Sequence, residues 1–517
     1  MRKYCQVAPI YVPRCGRRRA ATYVFAAIEA QHGFDPRQGA DATRYLDFGP
    51  PLQGTASNNM GQRSEITKWE IEDPEFWEST GRPIATRNLW ISIPALLLAF
   101  AVWMLFSVVA VNLNQAGFSF TTDQLFWLTA LPALSGATLR IFYSFMVPVF
   151  GGRRWTAVST ALLAIPAVWL GFAVQDPATP YWHFVAIAIL CGFGGGNFAS
   201  SMANISFFYP KKMQGYALGM NAGLGNLGVS TVQFLVPAVV TAGLFGAYGG
   251  EPQAGGEGPL YMQNAGFVWI PLLAASALAA WFGMHDLASA RSSFNEQASI
   301  FKRKHNWLMC WLYVGTFGSF IGFSAAFPLL VKTQFPGVNP LKYAFLGPLV
   351  GALARPVGGW LADKAGGAAL TFWVFALLIG GVVLKMYFLP HDGEAGSFAG
   401  FLAVSIAMFV VAGIGNGSTF RMIPVIFRQF HEKLAAGADG VDKAAAQRQA
   451  GIESAAVVGF SSAIGAYGGF FIPKSYGSSI AITGGPAAAY LGFIAFYLSC
   501  LAITWWWYLR RGAEAPC

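Results

Sequence analysis

The chain has 517 residues, of which 55% are hydrophobic and only 11% charged, with a mean hydropathy of +0.47. A soluble domain carries about 25% charged residues, so these values exclude a soluble fold and imply a polytopic membrane protein. The net charge of +10 does not imply nucleic-acid binding, because basic residues placed in short loops set membrane orientation instead.

Residues 1–59 have mixed composition, with Arg17-Arg18-Arg19 and no amphipathic pattern. Met60 opens a more ordinary polar lead-in, MGQRSEITKWEIEDPEFW. Residues 1–59 therefore read as an extension upstream of the true start, the other reading being a disordered tail. N-terminal sequencing of the natural product decides between them.

Hydropathy predicts twelve spans, at about 89–112, 124–149, 155–175, 181–208, 213–242, 265–285, 305–332, 342–362, 369–390, 397–427, 448–474 and 486–509. The loops holding Arg153-Arg154, Lys211-Lys212, Lys302-Arg303-Lys304, Lys364 and Arg428/Lys433/Lys443 fall on one side, with both termini. The loops at 113–123, 175–180, 243–264 and 391–396 carry no Lys or Arg. The positive-inside rule then places both termini in the cytoplasm. The organisation is an N-terminal cytoplasmic segment (1–68), a six-helix half (69–285), a central cytoplasmic loop (286–304), a second half (305–510) and a tail (511–517).

The two halves repeat one another. LPALSGATLR at Leu131–Arg140 matches LGPLVGALAR at Leu346–Arg355, each with Gly-Ala before the arginine and Gly-Gly after it (Gly151-Gly152 and Gly366-Gly367), at an offset of 215. Gly194-Gly195-Gly196-Asn197 matches Gly413-Ile414-Gly415-Asn416, and Gly225 and Gly228 match Gly465 and Gly468. Spans 2, 4 and 5 thus map onto 8, 10 and 11, so the chain is an all-α membrane protein of two parallel repeats.

Arg140 and Arg355 are the costly residues. A guanidinium cannot shed its charge by losing a proton, and in the bilayer centre it costs roughly 2.5–3.5 kcal/mol on the lenient insertion scale. Each lies roughly 14 Å from its Gly-Gly pair at about 1.5 Å per residue, too deep for easy snorkelling. Pairing to backbone carbonyls is one reading. The other is an anion held between two planar forks.

Every Asp, Glu and His falls outside the span centres. Asp123 begins span 2 and is read as its N-cap. Glu453 lies in the first turns of span 11, and His183 and His305 sit at span entrances. Proton-coupled carriers usually relay through an intramembrane acid or histidine, so exchange or facilitated flux is favoured over proton symport.

Residues 192–230 carry glycines at 194–196, 219, 223, 225 and 228 with Asn197, Asn204, Asn221 and Asn226 on the same spans. Close packing explains the glycines, and sliding between the halves is the functional alternative. The amides need partners and are functional candidates. Span 11 repeats the theme with Gly459, Gly465, Gly468 and Gly469. Near the span centres lie Phe198, Tyr313 and Phe317, the last two sharing a helix face. Gly359, Asp363, Lys364 and Gly366-Gly367 form a gating pattern after span 8, whose first-half copy has Pro148 in place of the acid. The six cysteines show no CxxC, haem-attachment or metal-ligand spacing, so no cofactor, metal site or redox enzyme is expected.

From about Trp69 onward the chain resembles the NarK-type nitrate/nitrite porters of the major facilitator superfamily. The resemblance rests on GGGNFASSMANISFFYPKKMQGYALGMNAGLGNLGVS across spans 4 and 5, GFSSAIGAYGGFFIPK on span 11, ATRNLWIS, and TFGSFIGFSAAF on span 7. It implies nitrate or nitrite bound between arginines matching Arg140 and Arg355. Aromatic rings matching Phe198 and Phe317 would sandwich the anion, and Tyr313 and Asn226 would hydrogen-bond it. The signature and gating positions would be Gly194, Gly196, Asn197, Gly223, Gly225, Gly228, Gly465, Gly468 and Asp363. The family contains an exchange branch and a proton-symport branch. The expectation is a monomeric nitrate/nitrite antiporter of the bacterial inner membrane, importing nitrate and serving a respiratory nitrate reductase. Proton-coupled symport and a nitrate-sensing receptor are the alternatives; the absence of a soluble output domain argues against the receptor.

Overall fold

A computed structural model of the chain describes residues 65–245, 249–255, 258–288, 299–390, 396–436 and 443–517. The chain divides into two units, Met1–Asn58 and Asn59–Cys517, and all that follows concerns the second. The reading of residues 1–59 as an upstream extension lies outside the described residues.

Among the described residues, twelve helices are long and apolar enough to cross a membrane. They are α1 (Pro74–Asn112), α2 (Thr122–Tyr143), α3 (Gly152–Ala173), α4 (Tyr181–Phe208), α5 (Lys211–Val239) and α6 (Asn264–Gly283) in the first half. The second half holds α7 (Lys304–Gln334), α8 (Pro340–Ala365), α9 (Gly367–Phe388), α10 (Phe398–Ala436), α11 (Gln449–Thr483) and α12 (Ala487–Leu509). All twelve spans read from hydropathy are therefore present. Helices predominate because lipid offers the backbone no partner, so each segment must satisfy its own N–H and C=O groups. Two short strand pairs accompany them: Glu65–Ile66 lies parallel to Asp286–Leu287, and Gln253–Gly255 pairs antiparallel with Gly258–Leu260.

Two local features differ from the sequence reading. Span 2 is not continuous to residue 149: α2 stops at Tyr143, and a short helix resumes at Met146–Phe150. Pro148 explains this, since its ring collides with the carbonyl four residues earlier, that of Ser144. Nor is Asp123 the N-cap of α2. Thr121 caps it in a reciprocal box with Gln124, and Asp123 instead bonds Lys474 at 2.6 Å. A capping box satisfies two orphan N–H groups with neutral side chains, leaving the carboxylate free to reach another helix.

The duplication is visible in the backbone. Gly151 and Gly366, at the same offset of 215, both take positive φ, at 84° and 87°, where α3 and α9 begin. Glycines also let helices meet backbone to backbone. A Cβ on Gly194 would lie 2.1 Å from the Ala99 carbonyl of α1, and one on Gly228 2.0 Å from that of Leu97. In the second half, Gly413 of α10 would meet the Gly351 carbonyl of α8 at 2.2 Å, and Gly468 of α11 the Cα of Gly318 at 2.3 Å. Dispersion and close approach drive such association, because lipid tails provide no hydrophobic contrast.

The helix ends define a basic face, carrying Arg153, Lys211, Lys304 and Lys364, and an opposite face. The described helix ends that flank the four loops read as free of Lys and Arg lie on the opposite face, although Lys332 and Lys342 flank its α7–α8 connection. Among the described residues, the side-chain bonds joining the halves run from Arg140 toward the opposite face. Arg140 Nη1 donates to Ser462 O (2.8 Å), Thr138 Oγ1 and Tyr467 Oη lie 2.8 Å apart, and Gln233 Nε2 donates to Ser324 O (2.7 Å). Asp123 and Lys474 close the series. That pair is part-exposed, and such pairs contribute about 0–1 kcal/mol. Toward the basic face, by contrast, a Cβ on Gly219, Gly223, Gly451 or Gly459 would meet nothing within 4 Å. Side-chain bonds between the halves thus gather toward the opposite face, and these stretches of α5 and α11 have open space beside them.

Ion pairs at the basic face tie each half within itself. Fully buried Glu453 accepts from Arg303 Nη2 at 2.8 Å and lies 3.2 Å from His431 Nε2. Asp363 pairs with Arg421 of α10 at 2.6 Å, and both belong to the second half. The first-half copy, lacking its acid, is completed from elsewhere: Asp286 accepts from the Arg153 backbone N–H at 2.7 Å and from Arg153 Nε at 3.2 Å. The tail folds back, with Glu514 on Lys304 at 2.6 Å and the Cys517 carbonyl accepting from Ala368 N at 2.9 Å.

Candidate functional site

Arg140 stands in the last turn of α2, where the carbonyl end of the helix dipole favours a cation. It is completely buried. Its Nε donates to Gly195 O of α4 at 2.8 Å and its Nη1 to Ser462 O of α11. Nη2 is buried and has no hydrogen-bond partner. The carbonyl-pairing reading is thus correct for two of the three nitrogens, and the third is unspent. Three rings surround the guanidinium: Phe198 at 4.7 Å, Trp103 at 5.1 Å and Phe317 at 5.3 Å from its central carbon. Ring faces attract a cation without neutralising it.

Arg355 lies within α8, immediately before Pro356, and is half-buried. Its Nη2 donates to Tyr313 Oη at 3.2 Å, its Nη1 is buried without a partner, and Phe420 lies 5.4 Å away. Tyr313 bonds Arg355 and stacks on Phe317, which lies against Arg140, so these two rings link the guanidinium groups. Among the described residues, neither arginine forms an ion pair with an acid. Two cations near one another in a low dielectric repel, and the surrounding carbonyls and rings offset that only in part.

Tyr313 and Phe317 owe their placement to a π turn, Val314–Gly318, in the middle of α7. The wider turn stacks the two rings at 5.4 Å with 21° between planes. Single π turns inside helices concentrate at functional sites. Gly465 of α11 makes room here, since a Cβ would lie 2.7 Å from the Tyr313 ring.

The structure brings Arg140, Arg355, Phe198, Phe317 and Tyr313 together. Asn226 is buried on α5 with an unpartnered Oδ1 and makes no hydrogen bond to either arginine. Asn197 sits elsewhere, in a small polar cavity with Ser92, Thr160, Ser200 and Ser201. Asn416, its repeat partner, likewise has a buried, unpartnered Oδ1. Gly194, Gly196, Gly225, Gly228, Gly465 and Gly468 all serve packing, whereas Gly223 faces open space. Sequence reasoning missed Trp103. Its signal was an indole N–H inside an apolar span, which needs an acceptor, and it donates to Pro132 O at 2.7 Å. Phe420 and the carbonyls of Gly195 and Ser462 carried no local signal.

The Major Facilitator Superfamily profile matches residues 92–441. The chain is 55% identical over 462 residues to the nitrate/nitrite transporter NarU of Salmonella typhimurium, covering 88% of this chain and 99% of that one. It is 41% identical over 462 residues to the probable nitrate/nitrite antiporter NarK2 of Thermus thermophilus, covering 87% and 98%. Among solved structures, an inward-facing, occupied bacterial homologue of the lysosomal transporter Spinster superposes with a TM-score of 0.55 at 14% identity, covering 80% of this chain and 95% of that one. That likeness concerns the fold alone.

Proposed function

Because the chain belongs to the NarK-type nitrate/nitrite porters of the major facilitator superfamily, a family of transporters rather than enzymes, we propose that it imports nitrate in exchange for nitrite. One anion at a time is held between Arg140 and Arg355. The observation that carries this reading is the pair of unspent guanidinium nitrogens, Arg140 Nη2 and Arg355 Nη1, buried on either end of the stacked Tyr313–Phe317 pair with no acid pairing them among the described residues. Nitrate is flat, singly charged and weakly hydrated. It matches planar forks and gives up its water more readily than sulfate or phosphate. Phe198 and Phe317 bound the space from either side of Arg140 and exclude water, which strengthens each remaining electrostatic contact. Nitrite, with two oxygens, uses the same forks with fewer contacts.

Exchange follows from the charge balance. An empty site leaves two arginines facing one another, so the occluded state is disfavoured. A bound anion relieves that repulsion and permits the halves to rock. Among the described residues, Asp123, Asp363 and Glu453 lie near helix ends and are ion-paired, and this supports exchange over proton symport. The basic face is cytoplasmic on this reading, both termini lie on the cytoplasmic side of the bacterial inner membrane, and the monomer is the working unit. A respiratory nitrate reductase is the natural source of the nitrite exported.

Counterflow tests this. Proteoliposomes loaded with nitrite take up labelled nitrate at clamped pH, and nitrite-free vesicles do not. Accumulation driven by a pH gradient without internal nitrite identifies symport instead.

A further inference from the structure

Beyond the arginine site, the opposite face holds a built cation that the exchange reading does not use. Helices α2 and α11 run antiparallel from Arg140 to that face. Along them Arg140 meets Ser462, Thr138 meets Tyr467, Ala133 abuts Gly469, Trp127 packs on Phe470 at 5.8 Å, and Asp123 meets Lys474. The ammonium of Lys474 lies 2.6 Å from Asp123 Oδ1 and 4.6 Å from the Trp127 ring centre. Gly477 leaves room for the carboxylate, since a Cβ there would sit 3.1 Å from Asp123 Oδ1.

Both groups are part-exposed, so the pair is too weak to hold the halves shut, and the apolar contacts below it do that. What the pair does control is charge. Asp123 and Trp127 belong to the first half and Lys474 to the second. When the halves part at this face, the lysine loses its carboxylate and its ring together and stands bare at the mouth of the path to Arg140.

We propose that Lys474 is the outer receiving group for the monovalent oxyanion, bound to Asp123 while the face is closed and free to take the anion when it opens. On closing, the Asp123 carboxylate returns to Lys474, displaces the anion, and leaves the two arginines as its partners. The step is an exchange of partners on one ammonium, with no covalent change. It rests on the alternating-access reading above, and it makes Lys474 a binding residue for one side of the membrane only.

The test compares nitrate exchange in right-side-out and inverted membrane vesicles. Lys474→Gln raises the outer KM for nitrate about tenfold, the scale of electrostatic steering at low salt, and leaves the inner KM unchanged. Lys474→Arg restores the outer value. Exchanging the charges, Asp123→Lys with Lys474→Asp, leaves closure intact, read as protection of Thr138→Cys from an outside thiol reagent, because the apolar contacts hold the face shut. Equal shifts on both sides, or no outer shift in a variant that melts like the wild type, overturn the proposal. Absence of exchange in wild-type vesicles overturns the functional reading itself, a distinguishable result.

Discussion

Arg355→Lys sharply lowers nitrate–nitrite exchange and leaves the protein as stable as the wild type, whereas Arg140→Lys loses both transport and stability. Both substitutions keep the positive charge. Lysine presents a compact ammonium, and it cannot form a planar fork. At Arg355 the loss is one bond to Tyr313 and the fork offered to the anion. A bond to a charged group is worth about 1.5–3 kcal/mol, so transport falls by about tenfold to a hundredfold or more. At Arg140 one nitrogen must replace three, two of them already bonded to Gly195 O and Ser462 O. Both carbonyls keep their helix bonds, but the ammonium gives up at least one charged hydrogen bond, worth about 1.5–3 kcal/mol. Exchange in loaded proteoliposomes, with thermal melting in detergent, checks both variants. Wild-type transport by either removes the two-fork mechanism, and equal melting of the two removes the asymmetry.

Gly194→Ala and Gly468→Ala fail to give stable protein, while Gly223→Ala is at least as stable as the wild type. The sequence places all three in one signature class, but their surroundings differ. A Cβ at Gly194 would lie 2.1 Å from the Ala99 carbonyl, and one at Gly468 2.3 Å from the Gly318 Cα. Both obstacles are backbone, so whole helices must shift. Overpacking of this kind costs about 1–3 kcal/mol, and more where nothing yields. At Gly223 nothing lies within 4 Å, and alanine favours helix by about 0.5–1 kcal/mol. If the bare stretches of α5 and α11 approach one another when the basic face closes, Gly223→Ala also slows exchange without lowering the melting temperature. Melting curves of the three variants, side by side, decide this. Gly194→Ala melting like the wild type contradicts the packing role.

The glycines show why part of the site was legible and part was not. That residues 192–230 crowd small side chains on two spans is a local pattern, and local pattern is what hydropathy and repeats record. Whether a given glycine touches a neighbour depends on helix rotation. Gly223 and Gly225, two positions apart, differ completely in what they meet. The same applies to Asp123. Its place at a helix start suggested a cap, and only the packing of α11 against α2 gave it Lys474 as a partner, 351 residues away in sequence. The gating pattern behaves likewise. Its first-half copy lacks the acid, and Asp286, 133 residues from Arg153, supplies it through space.

The sequence by itself determined the twelve spans, the two repeated halves and the two deep arginines. Each of these follows from a cost that every segment must meet alone in lipid: backbone satisfaction, apolar length, and a charge that cannot be shed. Tertiary structure alone decided the partners. It set two carbonyls on Arg140, turned Tyr313 and Phe317 through a π turn, brought Trp103 to the guanidinium, and closed the opposite face over Asp123 and Lys474. Partners of that kind are fixed by which helix faces meet, and no local stretch of chain carries that information.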